Sequence, residues 1–278
     1  MSNANSAKLG TAVVTGASSG IGKVYADRLA SRGYDLVLVA RRADRLQQIA
    51  ADLEKRFSIR AETLIADLSA PEGLSSASER IASDSSVSLL VNNAGFSVLK
   101  PLVDTPSELL EKMIALNITA VTALSRVALS LFQKRTSGTI INIGSGVGFA
   151  PLPMVPIYGP TKAYVLQFTQ LLQQQAAGTG VRVQLVVPGA VISEGWDVAG
   201  GAALEPLDPS LVMTTEDCVD AALVGLDMGE LITAPSLEDP TLLRNFETVS
   251  EALLQGMFNG KPAARYGLHR TQQTPVWR

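Results

Sequence analysis

Three residues of this 278-residue chain have the types and spacing that proton transfer needs: Ser145, Tyr158 and Lys162. The run Ile140-Ile-Asn-Ile143 is short, apolar and β-branched and ends at Gly144, so Ser145 falls where a buried strand stops. Tyr158 opens a segment with apolar side chains at Tyr164, Val165, Phe168, Leu171 and Leu172, which is helical spacing. On a helix Tyr158 and Lys162 are i and i+4 and project from one face. A phenol titrates near ~10 and a lysine near ~10.4 in isolation. An ammonium within about 4–6 Å stabilises the phenolate. Bringing the phenol from ~10 to ~7 needs roughly 4 kcal/mol, at about 1.36 kcal/mol per unit. A tyrosine tuned in that way exchanges protons near neutral pH, and a serine hydroxyl across the loop reaches the same substrate oxygen. A Tyr-x-x-x-Lys pair alone is ordinary helix surface; the upstream serine and the features below give it weight.

Gly16, Gly20 and Gly22 sit between a strand at 9–15 and a helix running to about Arg32. Glycines let a backbone turn tightly and approach a pyrophosphate, whose charge then faces the helix N-terminus. Ser18, Ser19 and Ile21 add loop contacts. The second strand, Asp35–Ala40, ends without a carboxylate and is followed by Arg41-Arg42. An acidic residue there would bind a ribose 2′-hydroxyl, whereas guanidinium groups favour a 2′-phosphate. The expected cofactor is NADP(H), although two arginines also fit a solvated helix start.

Thr15-Gly-Ala-Ser-Ser-Gly20-Ile-Gly22, Asn92-Asn93-Ala94-Gly95, Ser145, Tyr158 and Lys162 together resemble the short-chain dehydrogenase/reductase family, over roughly residues 9–195. The Gly-x-x-x-Gly-x-Gly spacing departs from the commoner Gly-x-Gly-x-x-Gly and matches that family. The resemblance implies further roles. Asp67 would accept from the adenine amine and Leu68 would pack on the ring, although Asp67 also fits a helix N-cap. Asn93, Ala94 and Gly95 would leave room for the cofactor ribose. Asn117 would complete a tetrad with Ser145, Tyr158 and Lys162 and hold a water in a proton relay. Pro188, Gly189, Val191 and Ser193 would meet the nicotinamide carboxamide and phosphate, with Ser193 standing where the family has threonine. The implied activity is hydride transfer between NADP(H) and a small-molecule carbonyl or alcohol, which the mostly apolar pocket walls named below make small and apolar. The implied assembly is a homodimer or homotetramer built on the long helix 106–134 and the Tyr158 helix.

Short apolar runs alternate with helical segments along the chain, predicting an α/β fold: a single-domain Rossmann-type doubly wound parallel sheet of about seven strands with helices on both faces. The expected layout is a leader at 1–8, one domain over 9–260 with a substrate loop at about 189–214, and an irregular tail at 261–278. Phe96, Ser97, Val98, Phe149, Leu152, Met154, Val155 and the loop around Trp196 are the expected pocket walls, with 195–201 as a lid.

Composition narrows the function. A net charge of −3 gives no basic footprint for nucleic acid. A single cysteine, Cys218, and a single histidine, His269, leave no internal disulfide and no Cys/His metal site. The first residues lack an apolar signal region and no run reaches about 18 apolar residues, so a soluble, cytoplasmic protein with no membrane partner is expected. A non-catalytic NADP(H)-binding sensor, or a cofactor-dependent lyase or epimerase, are the competing readings.

Overall fold

The structure is a computed structural model that describes residues 9–192 and 208–268. Seven strands make one parallel sheet: β1 (Thr11–Thr15), β2 (Asp35–Ala40), β3 (Ala61–Ile65), β4 (Val87–Asn92), β5 (Gly138–Ile143), β6 (Val181–Val186) and β9 (Ile232–Thr233), in the order β3-β2-β1-β4-β5-β6-β9. Two short strands the sequence did not announce, β7 (Ala190–Val191) and β8 (Val212–Met213), pair with each other at the two ends of the 189–214 segment. The helices are α1 (Gly20–Ser31), α2 (Ala43–Phe57), α3 (Pro71–Ser83), α4 (Ser107–Ile114), α5 (Val121–Arg135), α6 (Tyr158–Ala176), α7 (Thr215–Met228) and α8 (Thr241–Met257).

Strand alternation builds two cores. Ala12, Val14, Leu36 and Leu38 face α1, α2 and α7. Val13, Val37, Leu90 and Ile140 face α3, α5 and α6. Continuous Val/Ile/Leu runs are therefore buried on both faces, as a parallel sheet requires. The winding reverses between β1 and β4, and such a switch point is where doubly wound sheets bind ligands, beyond the carboxyl ends of their strands. Among the described residues, 237–268 form a second compact unit, which contains α8.

The helix expected over 106–134 is broken in register. A π-helical segment, Ala115–Ala120, joins α4 to α5. By length and composition the stretch Ser107–Arg135 could cross a membrane, because polar side chains are few in it. Its buried Leu124, Ala128, Leu129 and Phe132 instead belong to the core on the α3 face of the sheet.

Candidate active site

The turn after β1 is shaped by what has no side chain. Gly16 (φ +67°) and Gly20 (φ +52°) adopt left-handed backbone, which glycine takes at no steric cost. A Cβ on Gly16 would lie 2.7 Å from Asn93 Nδ2, and one on Gly22 would lie 2.4 Å from the Gly16 carbonyl oxygen. The α1 N-terminus has no acidic residue in its first turn and no side-chain cap from Ser19. Its N–H groups and dipole are thus available to an anion. Ile21 packs against the core. The residue that sequence reasoning missed is Thr15. Its hydroxyl donates to the Val91 carbonyl (3.1 Å) and accepts from the backbone N–H of Asn93 (2.9 Å) and Ala94 (3.0 Å). Asn93 Nδ2 donates back to the Thr15 carbonyl at 2.9 Å. The Asn-Asn-Ala-Gly run is thereby tied to the glycine turn. Only a contact between strand ends reveals this, so a lone threonine in a strand gave no signal.

The two arginines after β2 are not equivalent. Arg42 Nη2 donates to Ser18 Oγ at 3.0 Å and to Ser19 Oγ at 2.7 Å, so its guanidinium is held over the glycine turn. Arg41 is exposed and approaches Asp67 Oδ2 only to 4.0 Å. Burial alone would raise the Asp67 carboxyl; hydrogen bonds from the Ser69 hydroxyl (2.6 Å) and N–H (3.0 Å), with the Arg41 charge, outweigh it and hold the group below its ordinary value. Asp67 is not the cap of α3, whose N-cap is Ala70. Its Oδ1 closes a local turn and Oδ2 remains toward Arg41. Leu68 is buried in the sheet core, so its side chain packs there rather than being offered to a ring.

On the other side of the switch point, Ser145 follows β5 in extended backbone, with its neighbours pinned: Gly144 N–H donates to the Val186 carbonyl (2.7 Å) and Gly146 N–H to that of Pro188 (2.8 Å). Tyr158 is the first residue of α6 and pairs with the Ser145 hydroxyl. Lys162 is buried, donates from Nζ to the Ile143 carbonyl at 2.7 Å, and lies 5.5 Å from the centre of the Tyr158 ring. The structure therefore brings all three together.

Their electrostatics differ from the expectation. Burial pushes the Tyr158 phenol up to about 12, against the pull of the Ser145 hydrogen bond, although the residue keeps partial solvent exposure. Burial brings Lys162 down to about 8. The expected fall of the phenol toward neutrality is corrected to a rise. The physical reason is that desolvation dominates and that the ammonium is turned toward a backbone carbonyl beside the ring. A raised phenol stays protonated at neutral pH, the form that donates a proton to a carbonyl oxygen.

Asn117 lies within the π-helical segment, a distortion frequent at functional sites. Its Oδ1 accepts from the Phe96 N–H (3.2 Å), and its Nδ2 donates to the Phe96 carbonyl (3.0 Å) and to Thr161 Oγ1 (3.1 Å). The side chain is engaged in holding the loop after β4, next to Gly95, whose added Cβ would come 3.0 Å from Asn117 Oδ1. Thr161, which sequence reasoning passed over, in turn donates to the Tyr158 carbonyl at 2.7 Å. One buried hydroxyl thus links the first turn of α6 to Asn117. Below it, Asn92, Asn142 and Thr169 form a second buried chain across β4, β5 and α6.

Pro188 accepts from Gly146, Gly189 approaches Ser236, and Val191 is buried in β7. Ser193, Trp196, the 195–201 lid and His269 lie outside the described residues. Of the expected pocket walls, Val98 and Val155 are buried, while Leu152 and Met154 are exposed. The Ser97 hydroxyl is buried without a hydrogen-bond partner.

A seven-stranded doubly wound sheet with a glycine turn after β1 and a Ser/Tyr/Lys cluster at the carboxyl ends of β5 and β6 defines a nucleotide-dependent oxidoreductase class. The sequence profile of the short chain dehydrogenase family matches residues 10–199. The chain belongs to that family. The very-long-chain 3-oxoacyl-CoA reductase of Homo sapiens is 35% identical over 181 residues, 64% of this chain and 58% of that protein. The chain thus spans less than two thirds of the length of such relatives. A short-chain dehydrogenase from Sphingobium yanoikuyae, solved with NADPH, superimposes with a TM-score of 0.87 at 40% identity, covering 92% of this chain and all (100%) of that one. A bulky-bulky ketone specific alcohol dehydrogenase from Comamonas testosteroni gives 0.86 at 35% identity, covering 94% and 99%.

Proposed function

We propose that this protein is an NADP(H)-dependent reductase of apolar ketones, acting also in reverse on the alcohols. The observation that carries the reading is the convergence of Ser145, a protonated Tyr158 and the buried Lys162 ammonium at one strand end. Ser145 orients the substrate oxygen, Tyr158 donates the proton to it, and Lys162 steadies the phenol and binds the nicotinamide ribose. Asn117 connects the site to a proton relay. The nicotinamide, when bound, supplies or accepts the hydride. Gly16, Ser18, Ser19, Gly20, Ile21 and Gly22 cradle the pyrophosphate, since only glycine fits the two crowded positions. Asp67 with the Leu68 backbone holds the adenine, and Asn93–Gly95, Pro188, Gly189, Val191 and Ser193 frame the ribose and nicotinamide.

Preference for the 2′-phosphate rests on Arg42, already oriented by two serines, with Arg41 as the exposed second cation. An NADPH-bound relative supports the same choice. The relatives that act on bulky ketones and on 3-oxoacyl thioesters, by their names, move the expected substrate from small toward bulky, with its apolar character kept. The exposed apolar side chains of α6, Tyr164 and Leu171, with Tyr164 stacked on Phe168 at 5.7 Å, support a homo-oligomer formed through that helix.

Fluorescence titration with NADPH and NADH tests the cofactor assignment. Arg42→Ala is expected to weaken NADPH by roughly 10–100-fold and NADH by less than about threefold, in line with the strength of charge-assisted hydrogen bonds. Equal losses for both cofactors would overturn the assignment.

A further inference from the structure

β9 pairs with β6 only at Leu185 and Val186, so the first half of β6, from Val181 to Gln184, is an open sheet edge. A cavity of about 380 Å³ lies along that edge, between the C-terminal ends of α6 and α7, and shares no residue with the site described above. Its volume falls in the range of about 300–1,000 Å³ that small-molecule sites occupy. Ala177, Val183 and Leu226 are part of its apolar wall. Gln173 Nε2 crosses the gap and donates to the carbonyls of Val183 (3.3 Å) and Leu231 (2.7 Å). A side chain thus caps the main-chain edge, which suits the cavity to a small molecule rather than to an added strand.

The polar lining sets what that molecule carries. Gln184, 1% exposed, donates from Nε2 to the Ala222 carbonyl (2.8 Å) and to Thr233 Oγ1 (2.9 Å). The carbonyl can only accept, which fixes the orientation of the amide. Thr233 gives its own proton to Glu230 Oε2 at 2.7 Å. Gln184 Oε1 is left as a buried acceptor to which no described side chain or backbone group donates, a deficit that a ligand donor relieves. Gly225 leaves room for the carboxylate, since a Cβ there would lie 2.6 Å from Glu230 Oε2. Glu230 and Arg182 both line the cavity, and among the described residues neither is in an ion pair. The two helix ends add to this. α1, α2, α3 and α5 each carry Arg or Lys in the last turn, whereas α6 and α7 carry none. The partial negative charge of those two C-termini favours a cation beside them.

We propose that this cavity binds a small zwitterion, an α-amino acid with an apolar side chain. Its ammonium group meets Glu230 and Gln184 Oε1, its carboxylate meets Arg182, and its side chain lies on the apolar wall. Arg182 and Gln184 are alternate residues of one strand, so they share a face and stand roughly 6.6 Å apart. That separation is within reach of the two ends of one amino acid. An ammonium supplies three donors and a guanidinium pairs with a carboxylate in two parallel bonds, so each polar group of the lining gains a partner. This inference does not rest on the proposed reaction.

The test is saturation-transfer NMR on the full-length protein with three probes: L-phenylalanine, 3-phenylpropionate, which lacks the ammonium, and phenethylamine, which lacks the carboxylate. L-phenylalanine is expected to bind with a dissociation constant of about 0.1–1 mM, 3-phenylpropionate at least about tenfold more weakly and phenethylamine at least about threefold more weakly. Arg182→Gln should erase the difference between L-phenylalanine and phenethylamine. Glu230→Gln, which keeps an acceptor for Thr233, should weaken L-phenylalanine about tenfold. Both residues are exposed, and thermal melting checks that the variants fold. No transfer to L-phenylalanine at about 10 mM, or an affinity unchanged in both variants, would overturn the proposal. Tighter binding of phenethylamine than of L-phenylalanine by the wild type would overturn it in favour of a plain amine.

Discussion

The two sides of the sheet's switch point are built by opposite means. Around β1 and β2 the site is backbone and surface charge: glycines that leave room, an α1 N-terminus without acids, and arginines on the exposed side. Around β4, β5 and β6 it is buried side chains, each engaged with another: Thr161 between Tyr158 and Asn117, Lys162 on the Ile143 carbonyl, Asn92 on Asn142. In the first kind of site, where charges are solvent-exposed, loss of a charge costs little stability. The second decides geometry, and a single lost partner leaves a desolvated polar group behind.

The sharpest break of that contrast is Tyr158→Phe. Removing the phenolic proton should lower kcat at least ~1,000-fold, within the range expected for loss of a general acid, while NADPH affinity stays within about twofold. Steady-state rates alongside fluorescence titration check this; a residual rate above about a tenth of wild type would sink the role given to Tyr158. Gly22→Ala should do the reverse. Its Cβ would meet the Gly16 carbonyl oxygen at 2.4 Å, which destabilises by about 1–3 kcal/mol through overpacking and opens the turn, so cofactor affinity should fall more than tenfold. Thermal melting with and without NADPH separates the two effects.

Thr161→Val tests whether the catalytic half works as a network. It leaves the Asn117 amide one partner short in a buried site, at a cost of about 1–3 kcal/mol. The expected result is a roughly 10–100-fold loss in kcat with little change in the NADPH dissociation constant, and recovery in Thr161→Ser, which keeps the hydroxyl. A loss in stability alone, with kcat intact, would make Thr161 a structural residue only.

What the sequence made legible follows the same division. Gly16, Gly20 and Gly22, the Arg41-Arg42 pair, and the Tyr158/Lys162 spacing are local patterns, and local patterns carry backbone geometry and one-turn proximity. The strand order was legible in kind, because buried runs of Val, Ile and Leu alternate with helices. Thr15 and Thr161 were not, since their hydroxyls act between segments 76 and 44 residues apart. The π-helical segment escaped because its residues are ordinary helix formers whose register is set by Phe96 and Thr161 on Asn117. The direction of the Tyr158 shift escaped too: i and i+4 spacing places a charge nearby, but desolvation is a property of the folded surroundings.

The smallest effect bears most directly on that burial. Lys162 is brought from an ordinary 10.5 to about 8 by desolvation. Between about pH 8 and pH 10.5 the unfolded chain therefore holds a proton that the folded chain has lost, and stability rises with pH across that window. The stabilisation is complete above the unfolded value and is lost as pH falls through about 8. Tyr158, pushed up to about 12, works in the other direction, but only above its ordinary value of 10.0. Lys162→Met removes the first term alone. Its orphaned Ile143 carbonyl costs the same at every pH, so the change with pH in the stability difference from wild type isolates the lysine. That difference should move against the variant by at most about 2 kcal/mol between pH 7 and pH 9.5, read from urea unfolding at each pH. A constant difference would mean that the ammonium is solvated, and that the catalytic half is less closed than its hydrogen bonds indicate.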